Sequence, residues 1–128
     1  NPEESIRFEG DTGPYVQYAH ARCCSILRKG KIGKKTDYRL FNDADYALVK
    51  LLDSFPAVVG KSAFEYKPSL IANYLLDLTK CFNDFYSKNQ VLKEEETLRN
   101  SRLQLVEATR IVLKNGLGLL GIEAPEEM

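Results

Sequence analysis

The sequence predicts an all-α fold, a bundle of about five helices, and three observations support this prediction. Apolar residues recur at spacings of three and four along most of the 128-residue chain, which is the period of an amphipathic helix. Strict alternation of apolar and polar residues, the sign of a strand, is not convincing anywhere. Gly, Pro, Asn and Ser separate the periodic segments by short connections, so the helices should pack together as one bundle.

The first predicted helix begins where Asp11 or Thr12 can cap it and Pro14 suits its first turn. It should end near Lys29, because Gly30 follows. Its buried stripe is Val16, Ala19, Cys23 and Ile26. A polar loop follows, covering residues 31–40, and the region 30–42 is expected to be the most mobile part of the chain.

The second and third helices are separated by a break at residues 54–56. The second begins at Asn42 or Asp43, both of which are good capping residues. Its apolar stripe is Ala44, Leu48, Leu51 and Phe55. The third begins at Pro56, and its stripe is Val59, Ala63 and Tyr66.

The fourth and fifth helices are the longest. The fourth spans about residues 69–88 and has a wide apolar face: Ile71, Tyr74, Leu75, Leu78, Phe82 and Phe85. The fifth begins near Glu94, where acidic residues favour the positive helix N-terminus. Its main stripe is Leu98, Leu105, Ala108 and Val112, widened by Val106, Thr109 and Leu113. Asn115 and Gly116 should stop or kink it.

Composition indicates a cytoplasmic protein that contains one domain. The chain has 44% apolar and 28% charged residues, as expected for a globular domain, and no apolar run of about 20 residues. No secretory signal is visible. The three cysteines do not form a disulfide framework, and His20 is the only histidine, which argues against a zinc site. Because the chain begins at Asn1 rather than Met, an upstream portion is expected to be missing.

Two groups of side chains could contact single-stranded nucleic acid. On the first helix, Tyr15, Tyr18 and Arg22 share one face, and tyrosine can stack on an unpaired base while arginine pairs with phosphate. The alternative is that one or both tyrosines complete the core; we favour it for Tyr15, and Tyr18 stays open. At the end of the fourth helix, Tyr86, with the amides of Asn89 and Gln90, could read base edges, or could be a solvated helix end.

Other polar residues have more ordinary interpretations. A basic segment could be a solvated linker or a contact for phosphates, and it contains Arg28, Lys29, Lys31, Lys34, Lys35 and Arg39. The arginines of the fifth helix, Arg99, Arg102 and Arg110, are interpreted as surface cations. A nucleophilic pair of Cys24 and His20 lacks an orienting third group, so we expect His20 to make a local hydrogen bond instead.

Several segments, in order along the chain, resemble one protein family. These are residues 9–22 (EGDTGPYVQYAHAR), 68–78 (PSLIANYLLDL), 82–86 (FNDFY), 102–106 (RLQLV), 113–117 (LKNGL) and 120–128 (LGIEAPEEM). Together they are similar to the C-terminal anticodon-binding domain of class I arginyl-tRNA synthetases, particularly bacterial ones. The resemblance covers nearly the whole chain. One departure is Glu127, where the family commonly has arginine.

The resemblance implies a DALR-type anticodon-binding domain over residues 1–128, with residues 1–13 as the junction to a missing N-terminal catalytic domain. The family's ATP-binding signatures are absent from these residues, so this chain alone should be inactive and should need no cofactor. The full-length enzyme would be an arginine–tRNA ligase that uses ATP and magnesium. Its implied partners are arginine tRNA, bound through the anticodon loop, and the catalytic domain; no membrane and no DNA are implied.

The resemblance also implies roles for individual residues in tRNA binding. The implied contacts are Tyr18, Arg22, Tyr86, Lys88, Asn89, Gln90 and Met128. The two tyrosines would stack on unpaired bases, the amides would offer donors and acceptors, the C-terminal residue would read or wedge a base, and the two cations would meet phosphates. Two alternatives stay open: a helical module of another class I synthetase, such as the cysteine enzyme, or a helical adaptor that binds a protein.

Overall fold

A computed structural model describes residues 8–128, apart from the side chains of Glu9 and Asp11. The described part contains five α-helices: α1 (Gly13–Lys29), α2 (Asp43–Asp53), α3 (Phe55–Glu65), α4 (Ser69–Lys88) and α5 (Glu96–Leu119). A π-helical turn, Phe8–Thr12, leads into α1, and a 3₁₀ turn, Tyr38–Leu40, precedes α2. The predicted all-α bundle of about five helices is confirmed. The predicted cap at Asp11 and residues 1–7 of the predicted junction lie outside the described residues.

The core lies where α4 meets the other four helices. α1 packs along α5 and also touches α4, while α2 and α3 pack against α4, and α2 contacts α5 as well. All six apolar residues predicted for α4 are buried, and so are the four predicted for α1. Burial of each large apolar side chain stabilises the fold by about 1.5–3 kcal/mol, so these two stripes provide much of the driving force for folding.

The face of α5 that is buried differs from the predicted one. Val106, Thr109 and Leu113, expected only to widen the stripe, are fully buried, whereas Leu98 and Val112 are half-buried. The helix also continues past Gly116 to Leu119 instead of stopping. A Cβ at Gly116 would lie 2.5 Å from a methyl carbon of Leu75. The glycine therefore allows α4 and α5 to approach closely and does not break the helix.

The predicted stripe of α3 is wrong at its C-terminal end. Tyr66 is 92% exposed, and Ala63 is exposed as well. The helix ends at Glu65. Tyr66 adopts a left-handed conformation with φ of 55°, so its side chain does not lie on the helix face that the spacing predicted. Ser62 is buried instead, and its hydroxyl donates to the carbonyl of Lys67 at 2.7 Å.

The helix ends follow capping rules only in part. Asn42, one of the two predicted caps, caps α2, and it does so in a reciprocal capping box with Asp45 that was not predicted. Thr12 precedes α1 but does not cap it, because its hydroxyl donates to the carbonyl of Phe8 at 3.1 Å. Gly30 ends α1 in an extended conformation, with φ of −133°, so its small size matters rather than its conformational freedom. A Cβ there would lie 2.6 Å from Leu92.

Candidate nucleic-acid interface

A left-handed turn after α5 reverses the direction of the chain. Gly121 adopts φ of 73°, a conformation that glycine tolerates because it lacks a Cβ. The amide of Ile122 donates to the carbonyl of Leu117 at 2.9 Å, and that of Gly121 donates to Gly118 at 3.0 Å. These two hydrogen bonds form a Schellman motif. The turn sends the tail, residues 122–128, back along α1.

Side chains of α1 hold the tail by its backbone. The Gln17 amide donates to the carbonyl of Glu123 at 2.8 Å, and the Arg28 guanidinium donates to that of Glu126 at 3.4 Å. Both acceptors are main-chain oxygens, so the path of the tail does not depend on which side chains these two residues carry. The exposed side chains of Glu123 and Glu126 are therefore left free for other contacts, whereas Ile122 and Ala124 pack against the core.

His20 makes a third bond to the tail. It is buried, and its Nδ1 lies 2.8 Å from the carbonyl oxygen of Pro125. Because a carbonyl can only accept, Nδ1 must carry the proton. The Cys24 sulfur lies 3.9 Å from both ring nitrogens, and burial raises the pKa of its thiol. His20 is hydrogen-bonded at a packing interface, but its partner is 105 residues away rather than local, and the contacts do not favour a nucleophilic pair, since a neutral carbonyl orients the ring.

An open cleft of about 310 Å³ lies between α1 and the tail. Three predicted site residues line it: Tyr18, which is 58% exposed; Arg22, one turn further along α1; and Met128, which is 63% exposed. The other lining residues are Ala21, Ser25, Arg28, Glu126 and Glu127. The question left open for Tyr18 is answered by its exposure, because its ring does not belong to the core.

Arg22 connects this cleft to α4. Its guanidinium carbon lies 4.8 Å from the centre of the Tyr86 ring, within range of a cation–π contact. The Tyr86 ring also stacks on Phe82, with ring centres 6.0 Å apart and an angle of 14° between the planes. Tyr86 is consequently half-buried, and Arg22 lies over it. A base that approached from this side would meet the guanidinium before the ring.

The other tyrosine of the α1 face departs from its prediction. Tyr15 was expected in the core, but it is 42% exposed. Its hydroxyl accepts a hydrogen bond from the Asn83 amide at 3.2 Å, which ties α1 to α4 at the surface. The ring is offset from the buried stripe of α1, and that offset was visible in the sequence.

The last predicted site residues lie at the C-terminal end of α4, outside the lining of the cleft. Lys88 is exposed and forms an ion pair with Asp84 at 3.2 Å, one turn earlier. The Gln90 side chain is exposed as well. Asn89, by contrast, accepts a hydrogen bond from the Asn42 side chain at 2.7 Å.

A buried ion pair between α5 and α2, which the sequence did not predict, lies next to this turn. Arg102 was interpreted as a surface cation, but it is only 5% exposed. Its Nε and Nη2 donate to the two carboxylate oxygens of Asp45 at 3.0 and 3.1 Å. Its Nη1 donates to the Gln90 carbonyl at 2.9 Å and to Glu94 at 3.3 Å. A signal was available, because Arg102 lies four residues before the buried Val106 and so shares its face.

Comparison of the sequence with known proteins shows the family to which the chain belongs. A model of the DALR anticodon binding domain matches residues 16–128, so the chain belongs to this family. It is 49% identical to arginine–tRNA ligase 2 of Bacillus anthracis over 98% of the chain and 22% of that relative. It is also 49% identical to the arginine–tRNA ligase of Lactiplantibacillus plantarum, over the whole chain and 23% of that relative.

A solved structure gives the same result. The arginyl-tRNA synthetase of Thermus thermophilus superposes with a TM-score of 0.88 at 44% identity, over 98% of this chain and 23% of that one. The resemblance to the anticodon-binding domain of arginyl-tRNA synthetases is thereby confirmed. This chain spans less than a quarter of the length of the relatives described above. None of the described helices is long and apolar enough to cross a membrane.

Proposed function

We propose that this chain binds the anticodon stem-loop of an arginine tRNA, as the recognition domain of a longer arginine–tRNA ligase. The observation that carries the proposal is the open cleft in which Tyr18, Arg22 and Met128 meet, in a chain that belongs to an anticodon-binding family. Relatives that are arginine–tRNA ligases favour arginine over another class I synthetase. They likewise argue against a protein-binding adaptor.

The cleft suits an unpaired base better than a duplex. Proteins read RNA sequence chiefly in single-stranded loops, where unstacked bases can lie on aromatic rings or guanidinium planes. Tyr18 offers such a ring, and its exposure leaves room for a base. Met128 lines the same cleft, so its thioether and the terminal carboxylate can contact the edge of that base or of its neighbour.

Arg22 and Tyr86 act as one unit in this proposal. Because Arg22 lies over the Tyr86 ring, a second base would stack on the guanidinium plane, with Tyr86 supporting it from beneath. The guanidinium can still donate to a phosphate at its edge. Tyr86 therefore contributes mainly by holding Arg22 in place, a smaller role than the direct stacking that the resemblance implies.

The end of α4 would contribute through exposed side chains. Lys88 can exchange its ion pair with Asp84 for a phosphate, since a surface pair is worth only about 0–1 kcal/mol. The Gln90 amide is free to meet a base edge. Asn89 would act indirectly, because its side chain is bonded within the protein. The negative charge of Glu127, which lines the cleft, should repel nearby phosphates and so reduce the affinity for tRNA modestly.

The rest of the reaction would belong to parts of the protein outside this chain. A catalytic domain joined through residues 1–13 would activate arginine with ATP and magnesium and transfer it to the tRNA, in the cytoplasm. This chain alone would be inactive and would bind no cofactor. Its contribution is to hold one end of the tRNA while the other end reacts.

Replacement of Tyr18 by Ala tests the proposal. A base that stacks on an aromatic ring gains about 1–3 kcal/mol, so Tyr18→Ala should weaken binding of a labelled arginine anticodon stem-loop about five- to 150-fold in fluorescence anisotropy. Tyr66→Ala is the matched control, because that ring is even more exposed and lies at the end of α3. Its affinity should equal that of the parent chain. Equal affinities for the two variants, or equal binding of stem-loops with unrelated anticodons, would refute the assignment.

A further inference from the structure

The segment from Arg28 to Arg39 concentrates positive charge in a chain that is neutral overall. It carries six of the 18 basic residues and one of the 18 acidic ones, Asp37. Asp37 is already engaged, because Arg39 donates to both of its carboxylate oxygens at 3.0 Å and holds the pKa of that carboxyl below its usual range. Four lysines of the segment are exposed: Lys29, Lys31, Lys34 and Lys35.

The backbone of this loop is anchored to α5, although its lysines are in solvent. Asn100 is 1% exposed, and its side chain accepts from the Gly33 amide at 2.9 Å and donates to the Lys35 carbonyl at 3.0 Å. The buried hydroxyl of Ser101 accepts from the Asp37 amide at 2.9 Å. The region expected to be most mobile is thus held at three backbone positions. A solvated linker does not require a buried asparagine whose hydrogen bonds go to its backbone.

The exposed lysines of this loop follow directly after a residue that lines the cleft. Arg28 lines the cleft, together with the acidic Glu126 and Glu127, and is also the first residue of the basic segment, so Lys29 and Lys31 follow the cleft directly along the chain. We propose that the loop at residues 29–35 binds the phosphate backbone of the same tRNA, next to the bases held in the cleft. This proposal rests on the proposed function and adds a second contact to it.

Two physical features favour a polyanion as the partner. Lysine ammonium groups are compact point charges that suit phosphate contacts without base specificity. An anchored loop loses little backbone freedom on binding, so less of the interaction is offset by ordering. Glu95 balances part of this charge: its pKa is lowered first by the Thr97 amide and also by Lys35. Lys35 should therefore contribute less than Lys31 and Lys34.

The test compares two triple variants of the 128-residue chain. The loop variant is Lys31→Gln with Lys34→Gln and Lys35→Gln; the control, with the same charge change at exposed positions, is Lys61→Gln with Lys67→Gln and Lys80→Gln. Affinity for arginine tRNA is measured from low to high NaCl. For every phosphate that a substituted lysine no longer neutralises, the slope of log affinity against log salt should flatten by about 0.7–0.9. For the loop variant, this slope should flatten by about twice that amount, and the affinity for tRNA at low salt should fall at least tenfold.

The control should keep the parental slope, and both variants should keep the parental melting temperature, because only exposed side chains change. A loop variant with the same slope as the control would overturn the inference. If Tyr18→Ala still weakens binding in that case, only the loop assignment fails; if the parent chain does not bind tRNA, the proposed function itself fails. Binding of the parent to phosphatidylserine vesicles, abolished in the loop variant while tRNA binding persists, would assign the loop to membranes instead.

Discussion

Two arginines show how differently this molecule uses the same side chain. Arg102 is buried on α5, beside the turn between α4 and α5, and its donors go to Asp45, Glu94 and a main-chain carbonyl. Arg22 is exposed and rests on the Tyr86 ring, where its edge remains open to solvent. A buried guanidinium must have protein partners because unpaired burial is costly, whereas an exposed one can keep its donors for a ligand.

The same difference applies to the segments around them. Around the α4–α5 turn, Arg102, Asp45 and Asn89 bond chiefly through their side chains, so the identity of these three residues affects stability. Along the tail, Gln17 and Arg28 bond to main-chain carbonyls, so tail side chains such as that of Met128 remain available. We therefore propose that the turn serves stability and the cleft serves binding, and substitutions in each region test this proposal.

The largest effect is expected at the buried ion pair. Arg102→Met keeps similar volume but leaves the Asp45 carboxylate buried without its partner, which should cost about 3–5 kcal/mol of unfolding free energy in urea titrations. Arg99→Met is the control on the same helix; Arg99 is half-buried, and we expect a loss of about 1 kcal/mol or less. Adding Asp45→Asn to Arg102→Met should restore part of the loss. A loss below about 1 kcal/mol for Arg102→Met alone would contradict the assigned role of this pair.

The sequence predicted the fold well where one apolar stripe dominates a helix. α1 and α4 each have a single stripe, and all its residues are buried. α5 offers two adjacent stripes, and the fully buried one also contains Arg102, which we expected at the surface. The error has a physical origin: an arginine belongs in a core only when a distant carboxylate pairs with it, and Asp45 lies 57 residues away.

The sequence predicted three of the residues that line the cleft, but not how the cleft is built. Tyr18 and Arg22 were singled out from one helix face, and the structure brings them together with Met128. No local rule predicts that the tail returns to α1, because Gln17 and Glu123 are 106 residues apart. The contact between Arg22 and Tyr86 also depends on how α1 packs against α4. Spacing along one helix cannot predict either arrangement.

Adjacent residues at the α4–α5 turn provide a sharper comparison of stability with binding. Asn89→Ala removes the acceptor of the Asn42 side chain, so it should cost about 1–2 kcal/mol of unfolding free energy. Gln90→Ala truncates an exposed side chain and should change stability by less than about 0.5 kcal/mol while weakening binding of the anticodon stem-loop. Urea titration and anisotropy measure both quantities on the same samples. If Gln90→Ala instead reduced stability and Asn89→Ala weakened binding without loss of stability, the roles of the two residues would be the opposite of those assigned.

The smallest expected effect distinguishes charge from shape at Arg22. Arg22→Lys keeps the positive charge but loses the planar group that lies on Tyr86, so binding of the stem-loop should weaken by about 0.5–1 kcal/mol, a factor of about two to five. Arg22→Ala should weaken it further, because the charge is removed as well. Parental affinity for the lysine variant would mean that Arg22 acts only as a point charge. Equal losses for both variants would mean that stacking alone matters, and the cleft would then recognise bases without holding a phosphate at this position.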